Sequence, residues 1–184
     1  SLHDALPISW AGILSVLVCG WAWGQGKEVS VLAVGNSFSA NALRQFSELV
    51  RASGNRVVAT NAMIGGCDFE RHMRHADAFE RDPADPEGRP YPGKLSLKDL
   101  LTARAWDFVT IQQASPKSFR PETYQPHVGR LIAMIRRYAP QAEIVIHQTW
   151  AYRDDHRWFL ERAKYAEEPE NPDVMYRKVR AAYD

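Results

Sequence analysis

A parallel β-sheet covered by helices, an α/β fold, is what this 184-residue sequence predicts, on three observations. Four short runs are apolar and rich in β-branched residues without strict alternation, which is the pattern of strands buried on both faces. The stretches between them keep apolar residues at helical spacing. The two kinds of segment alternate as βαβαβαβα, an order that sets parallel strands side by side and joins them through helices. With 45% hydrophobic residues the chain is long enough for one domain with a real core and too short for two comfortable ones.

The first strand is Val29 to Val34, which ends at Gly35, and Leu43, Phe46 and Val50 keep the spacing of a helix after it. Val57 to Thr60 is the second strand, followed by the helical pattern of Phe69, Met73 and Ala76. Arg81 to Gly93, RDPADPEGRPYPG, is dense in Pro, Gly and charge, so it predicts an exposed excursion with no regular element. Leu97, Leu100 and Leu101 mark the next helix, Phe108 to Ile111 the third strand, and Val128, Leu131, Ile135 and Tyr138 the helix after that. Ile144 to Ile146 is the fourth strand. After a second acidic, Pro-containing loop over Ala166 to Asp173, Asn171 and Pro172 supply a cap and a first-turn proline for a fifth helix over Met175 to Tyr183. Helices in this architecture return to strands, so a last strand and whatever follows it are expected beyond the sequence.

The N-terminus reads differently from the rest. Ile8 to Trp21 is mostly apolar and Ala22, Trp23 and Gly24 resemble a small-x-small cleavage site, so residues 1–24 are expected to be a secretory signal and 25–184 the domain. The apolar run is shorter than the roughly 20 residues of a membrane span, so no stable anchor is expected after cleavage. The destination is the periplasm or the cell exterior. Ser1 to Ser9, SLHDALPIS, lacks a basic character and reads as translated adaptor sequence. Cys19 follows Val16, Leu17 and Val18, a poor lipobox. If Cys19 leaves with the signal, Cys67 is alone and no internal disulfide forms. No Cys/His spacing suits zinc, and neither a metal nor a cofactor is expected. A net charge of +1 with mixed signs gives no footprint for nucleic acid.

The chemistry begins at VSVLAVGNSFSAN, residues 29–41, where a strand ends in glycine and presents Ser37 at the carboxyl edge of the sheet. A serine hydroxyl needs a base to take its proton and fixed N–H donors to meet the oxyanion. Gly65 and Gly66 follow the second strand, where missing side chains let backbone N–H groups approach a ligand. Gln112 and Gln113 follow the third strand, and a Gln amide is a neutral donor. Each feature also has a plain structural reading. Ser37 is equally a cap for a helix starting near Ser39 or Ala40, and Gly65–Gly66 a tight turn. His72 and His75 read as a solvated helix face, and His147 as a structural histidine. Trp106, Trp150 and Tyr152 read as packing residues, the last two also suited to line a sugar-binding crevice.

GNSFS at 35–39, GG at 65–66, WDFVTIQQAS at 106–115 and HQTWAYR at 147–153, in that order at successive strand ends, resemble the SGNH/GDSL hydrolase superfamily, in particular its DUF4886-like branch. The resemblance covers essentially the whole mature chain. It implies a flavodoxin-like, three-layer α/β/α fold and ester hydrolysis without a metal. By the same resemblance Ser37 is the nucleophile and contributes its N–H to the oxyanion hole, Gly66 adds a second N–H with Gly65 as the alternative, and Gln113 supplies an amide where the superfamily has an Asn, with Gln112 as its competitor. Asn36, Gly65, Trp150 and Tyr152 are expected to contact substrate. The superfamily's Asp and His, three residues apart near the C-terminus, have no counterpart here. Asp154, Asp155 and His156 have the wrong spacing and come too early, and they read as a charged surface loop. The implied function is a secreted serine esterase acting on acyl or acetyl esters, small or carbohydrate-linked, with its general-base His beyond the sequence and this fragment inactive. The alternative is a noncatalytic ligand- or carbohydrate-binding module on the same fold.

Overall fold

The computed structural model describes residues 26–184; the expected signal, with Cys19, lies outside them. Four parallel strands, β1 (Glu28–Gly35), β2 (Arg56–Met63), β3 (Phe108–Ile111) and β4 (Glu143–Ile146), form one sheet in the order β2-β1-β3-β4. The register pairs Gly35 with Met63 and Val34 with Ile111, so the carboxyl ends of β1, β2 and β3 lie together. Ile111 in turn pairs with Ile146 of β4. This is the α/β class that the apolar runs predict.

One face of the sheet carries the main core. Leu32 and Val34 of β1 and Val109 and Ile111 of β3 point into a cluster with Phe69 and Met73 of α3 (Phe69–Arg81), Leu97 and Leu101 of α4 (Leu97–Thr102) and Leu131 and Ile135 of α5 (His127–Tyr138). Trp106, fully packed, donates its indole N–H to the Leu100 carbonyl at 2.9 Å, so its role is structural. The start of α4 is secured by a capping box in which Ser96 and Asp99 exchange side-chain and backbone bonds. At the amino edge of the sheet the Asp107 carboxylate accepts from the Ser30 N–H (2.7 Å) and hydroxyl (2.8 Å), which locks β1 to the entry of β3.

The opposite face is covered by α1 (Ser37–Leu43) and α2 (Phe46–Ala52) on the β1 and β2 side. The spacing of Leu43, Phe46 and Val50 predicts one helix; the chain forms two, broken at Arg44–Gln45. No residue of α2 is buried, and a short segment that buries nothing has no packing to hold it to a single axis. Over β4 this face is open at Val145, 37% exposed, and on the core face Ile146 is 50% exposed. Burial on both faces therefore holds for β1, is partial on the outer face of β3 and fails for the edge strand β4.

Beyond β4 the chain makes a short helix α6 (Arg157–Leu160) and then α7 (Pro172–Tyr183), whose N-cap Asn171 accepts from the Val174 N–H at 2.9 Å. Met175 and Val179 of α7 pack with Phe119 and Trp158 in a second small cluster. Within that cluster, Arg162 ties the intervening loop by donating to the carbonyls of Trp158, Ala166, Glu168 and Pro169.

The excursion over residues 81–93 departs from the expectation of a free loop. Asp85 caps a single 3₁₀ turn at Pro86–Gly88, and Tyr91 and Leu95 exchange backbone bonds at 3.2 and 3.3 Å. Tyr91 itself is buried in the main core. Its aromatic ring explains the difference, since apolar area withdrawn from water holds even a proline-rich segment in place.

The contrast between β3 and β4 is testable by urea denaturation. Ile111→Ala is expected to cost about 2–5 kcal/mol because it empties core volume, whereas Ile146→Ala, its half-exposed register partner, should cost under about 1 kcal/mol.

Candidate functional site

The site is assembled where β1 gives way to α1. Asn36 has extended backbone angles and serves as the N-cap of α1: its Oδ1 accepts from the Phe38 N–H at 3.1 Å. Its Nδ2 donates to the Cys67 carbonyl at 2.9 Å, binding the serine turn to the loop after β2. Asn36 is therefore buried with both ends of its amide engaged, and the expectation that it contacts substrate is corrected. Ser37 is the first helical residue and is exposed. Among the described residues neither its hydroxyl nor its backbone N–H has a hydrogen-bond partner. The cap reading of Ser37 is thus settled in favour of Asn36. Ser39, buried two residues on, donates to the Asn36 carbonyl at 2.7 Å and lies 2.9 Å from the Asn61 amide, so it braces the same turn from below.

The loop after β2 is a four-residue turn, Ile64 to Cys67, closed by the Cys67 N–H on the Ile64 carbonyl at 3.1 Å. Gly66 has φ +61°, left-handed backbone that favours glycine. Both glycines are exposed, and among the described residues neither of their N–H groups donates to the protein. The turn is anchored to β1 by the Ile64 N–H, 3.2 Å from the Gly35 carbonyl. Cys67 is buried, and burial pushes its thiol up to about 12, which removes it as a nucleophile at neutral pH.

The two glutamines after β3 have different fates. Gln113 is fully buried; its Oε1 accepts from the Phe69 N–H (3.2 Å) and the Ala114 N–H (2.9 Å), and its Nε2 faces the Thr123 carbonyl (3.3 Å) and hydroxyl (3.2 Å). All its capacity is spent on holding the first turn of α3 against the loop after β3, and the expectation that it donates to an oxyanion is corrected. Gln112 lies on the other face, in line with Thr110, Ala33 and Gly35. It is buried, and among the described residues neither of its amide atoms is paired. A Cβ built on Gly35 would stand 2.7 Å from Gln112 Oε1, so this close approach requires glycine at position 35.

Past β4, Trp150 is 47% exposed and packs on the Phe38 ring at 4.3 Å, which brings the last loop over the serine turn. Tyr152 is half-buried, packed on His156 at 4.1 Å and edge-on to Trp158 at 5.0 Å. Trp150 and Tyr152 line one shallow cleft of about 290 Å³ with Arg153, Asp155 and His156. His156 caps α6 through Nδ1, and Asp155 pairs with Arg153, so this cluster is built as a local loop. His147, at the end of β4, is half-buried, and burial lowers its pKa.

Two histidines are misjudged by the sequence reading. His72 and His75 belong to the buried stripe of α3 with Phe69, Met73 and Ala76, not to a solvated face. The spacing of His72 three residues after Phe69 is the signal that placed it inward. His72 Nδ1 lies 2.8 Å from the Tyr91 hydroxyl and its Nε2 3.1 Å from the Gly35 carbonyl; His75 Nδ1 lies 2.7 Å from the Glu87 carbonyl. Among the described residues no group of three or more His, Cys, Asp or Glu side chains is placed to hold a metal ion.

The profile of DUF4886, a domain of unknown function, matches residues 30–181, which span every strand and all the loops just described. The chain belongs to the DUF4886 family. A solved DUF4886 family protein from Bacteroides uniformis is 30% identical, with TM-score 0.66 over 84% of this chain and 61% of that one. The chain thus spans about three-fifths of the length of that relative. A protein from Slackia heliotrinireducens described as a candidate SGNH hydrolase is 22% identical, with TM-score 0.55 over 85% of this chain and 72% of that one, a likeness of fold. No curated protein matches the chain at a significant level. The DUF4886 chain described here therefore has an SGNH hydrolase-like α/β fold.

Asp68 offers a test of how the rim is held. It caps α3 through the Arg71 N–H (2.8 Å) and pairs with Lys117 in the loop after β3. Burial pushes its carboxyl up, but the bonds from Lys117 and Arg71 outweigh it and hold the group below its ordinary value. A lowered folded pKa means that the stabilisation is present above the unfolded pKa and fades as pH falls through the folded one. Asp68→Asn keeps the cap and loses the charge. It should cost up to about 1 kcal/mol at pH 7, by chemical denaturation, and the difference from wild type should vanish near pH 3 or below.

Proposed function

We propose that this DUF4886 domain is the nucleophile-bearing part of a serine ester hydrolase of SGNH type. The observation that supports this reading is Ser37: its hydroxyl and N–H are exposed and unpartnered at the sheet rim, while the neighbouring Asn36 performs the cap that would otherwise occupy it. In the reaction Ser37 Oγ attacks the ester carbonyl and passes its proton to a base. The carbonyl oxygen becomes an oxyanion met by the N–H groups of Ser37 and Gly66, with Gly65 beside them. Collapse expels the alcohol, which takes the proton, and water then releases the acid from the acyl-serine by the same steps. Gln112, whose amide is unpaired, takes the side-chain donor role that Gln113 is too fully bonded to fill.

The base is proposed to come from protein outside this sequence, since the Bacteroides relative has about two-fifths of its length beyond the aligned part. Among the described residues Ser37 has no hydrogen-bonded His, and removal of a triad base costs several orders of magnitude in rate, so this stretch alone is expected to be inactive. The substrate is an acyl or acetyl ester, and Trp150 beside Phe38 suits an ester on a small molecule or a carbohydrate. The apolar stretch Ile8 to Trp21 supports secretion, to the periplasm or beyond the cell. A second reading, a binding module without chemistry, is supported by the lack of a His bonded to Ser37 among the described residues.

Labelling of the full-length protein with a fluorophosphonate separates the two. Ser37→Ala should abolish labelling and lower hydrolysis of p-nitrophenyl acetate by about a thousandfold or more; equal labelling of wild type and variant rejects Ser37 as the nucleophile.

A further inference from the structure

The Gly35 carbonyl stands one peptide before Asn36 and two residues before Ser37. It accepts from the Ile64 N–H at 3.2 Å and faces His72 Nε2 at 3.1 Å, so both of its lone-pair directions are used. His72, on α3, is buried completely on the core side of the sheet. Burial lowers the His72 pKa to about 4, so at neutral pH the ring carries a single proton. A carbonyl oxygen only accepts, which places that proton on Nε2 and leaves Nδ1 as an acceptor. The group 2.8 Å from Nδ1 is the Tyr91 hydroxyl, buried and pushed upward in pKa, hence a protonated donor throughout the physiological range. The two rings lie nearly parallel, 11° apart.

We propose that His72 is a positioning residue for Ser37, held as its Nε2–H tautomer by the Gly35 carbonyl and fixed in orientation by the Tyr91 hydroxyl, so that the chain Tyr91 O–H to His72 to the Gly35 carbonyl sets the peptide plane from which the serine turn departs. The proposal rests on the reading that Ser37 is the reacting residue. It also gives the excursion over residues 81–93 a function: the backbone pair between Tyr91 and Leu95 fixes the hydroxyl that donates to His72 Nδ1 and orients the ring. The next peptide links are already determined, because the Asn36 amide is bound at the Cys67 carbonyl and the Phe38 N–H. Rotation of the Gly35 peptide is thus a backbone freedom by which Ser37 can swing relative to Gly66, apart from rotation of the serine side chain itself. His72 is not itself the base, since both of its ring nitrogens are occupied and its ring is sealed beneath the strand.

The test uses the full-length protein with His72→Leu, His72→Gln and Tyr91→Phe. Gln can still place an amide N–H on the Gly35 carbonyl, whereas Leu cannot. Side-chain ¹⁵N NMR of wild type should show the proton on Nε2 of His72, and Tyr91→Phe should leave it there while the Nδ1 resonance shifts on losing its donor. In His72→Leu, hydrogen exchange at the Ile64 and Phe38 amides, the reporters of this turn, should quicken about tenfold while the Ala139 amide of α5 keeps its rate. The maximal rate of fluorophosphonate labelling should fall about tenfold or more with little change in half-saturation, and His72→Gln should recover most of it. An Nδ1–H tautomer in wild type, unaltered exchange at Ile64 and Phe38, or Gln behaving as Leu overturns the proposal. If wild type is not labelled at all, the hydrolase reading fails, and the tautomer and exchange results still decide whether His72 holds the turn.

Discussion

The Asn36 side-chain amide joins the two turns on which the candidate site is built. One end takes the Phe38 N–H and starts α1; the other reaches across to the Cys67 carbonyl at the end of the glycine turn. The bond to Cys67 is buried and that from Phe38 partly so, where leaving a polar group unpaired costs about 1–3 kcal/mol, so the bridge has one favoured geometry. Its consequence is a division of labour between neighbours. Asn36 meets the structural need of the helix start, and Ser37 is left with nothing to satisfy but a ligand. Had the cap fallen to Ser37, the same hydroxyl would have been bound to its own backbone.

Close packing beneath the rim follows from that bridge. Ser39 supports the Asn36 carbonyl from below, and Gly35 leaves room for Gln112 at a separation no side chain at position 35 would permit. On the core side, His72 and Ile64 saturate the Gly35 carbonyl. Interiors packed to this density transmit displacement rather than absorb it, so the orientation of Ser37 is coupled to α3 and, through Tyr91, to the excursion.

Much of this was legible in the sequence, for a physical reason. The unbroken apolar run in β1 reflects burial on two faces, and glycine at positions 35 and 66 reflects close approach and left-handed backbone. Where the reading failed, the deciding information was tertiary. Gln112 and Gln113 are chemically identical, and only strand alternation together with the delivery of Phe69 and Thr123 by distant segments decides which amide is consumed. Polarity argued for His72 on the surface, yet its spacing with Phe69 and Met73 placed it inside, and its partners lie 19 and 37 residues away. β4 reads like β3 in composition; its exposure depends on what lies beside it, which no local pattern carries.

The buried polar groups of the rim divide unequally. Around β1 and β2, Asn36, Ser39 and His72 are bonded within the chain. Past β3 and β4, the Gln112 amide and the Thr149 hydroxyl are buried without partners among the described residues. Orphans of this kind are rare in folded proteins and collect where local consistency yields to function. The buried side chains around β1 and β2 are therefore closed by their own bonds, whereas past β3, where Gln113 is spent, Gln112 still holds an amide in reserve. A ligand bridging the two halves would meet Ser37 and the glycine turn already ordered, and rigidity established during folding is ordering entropy that binding does not have to supply.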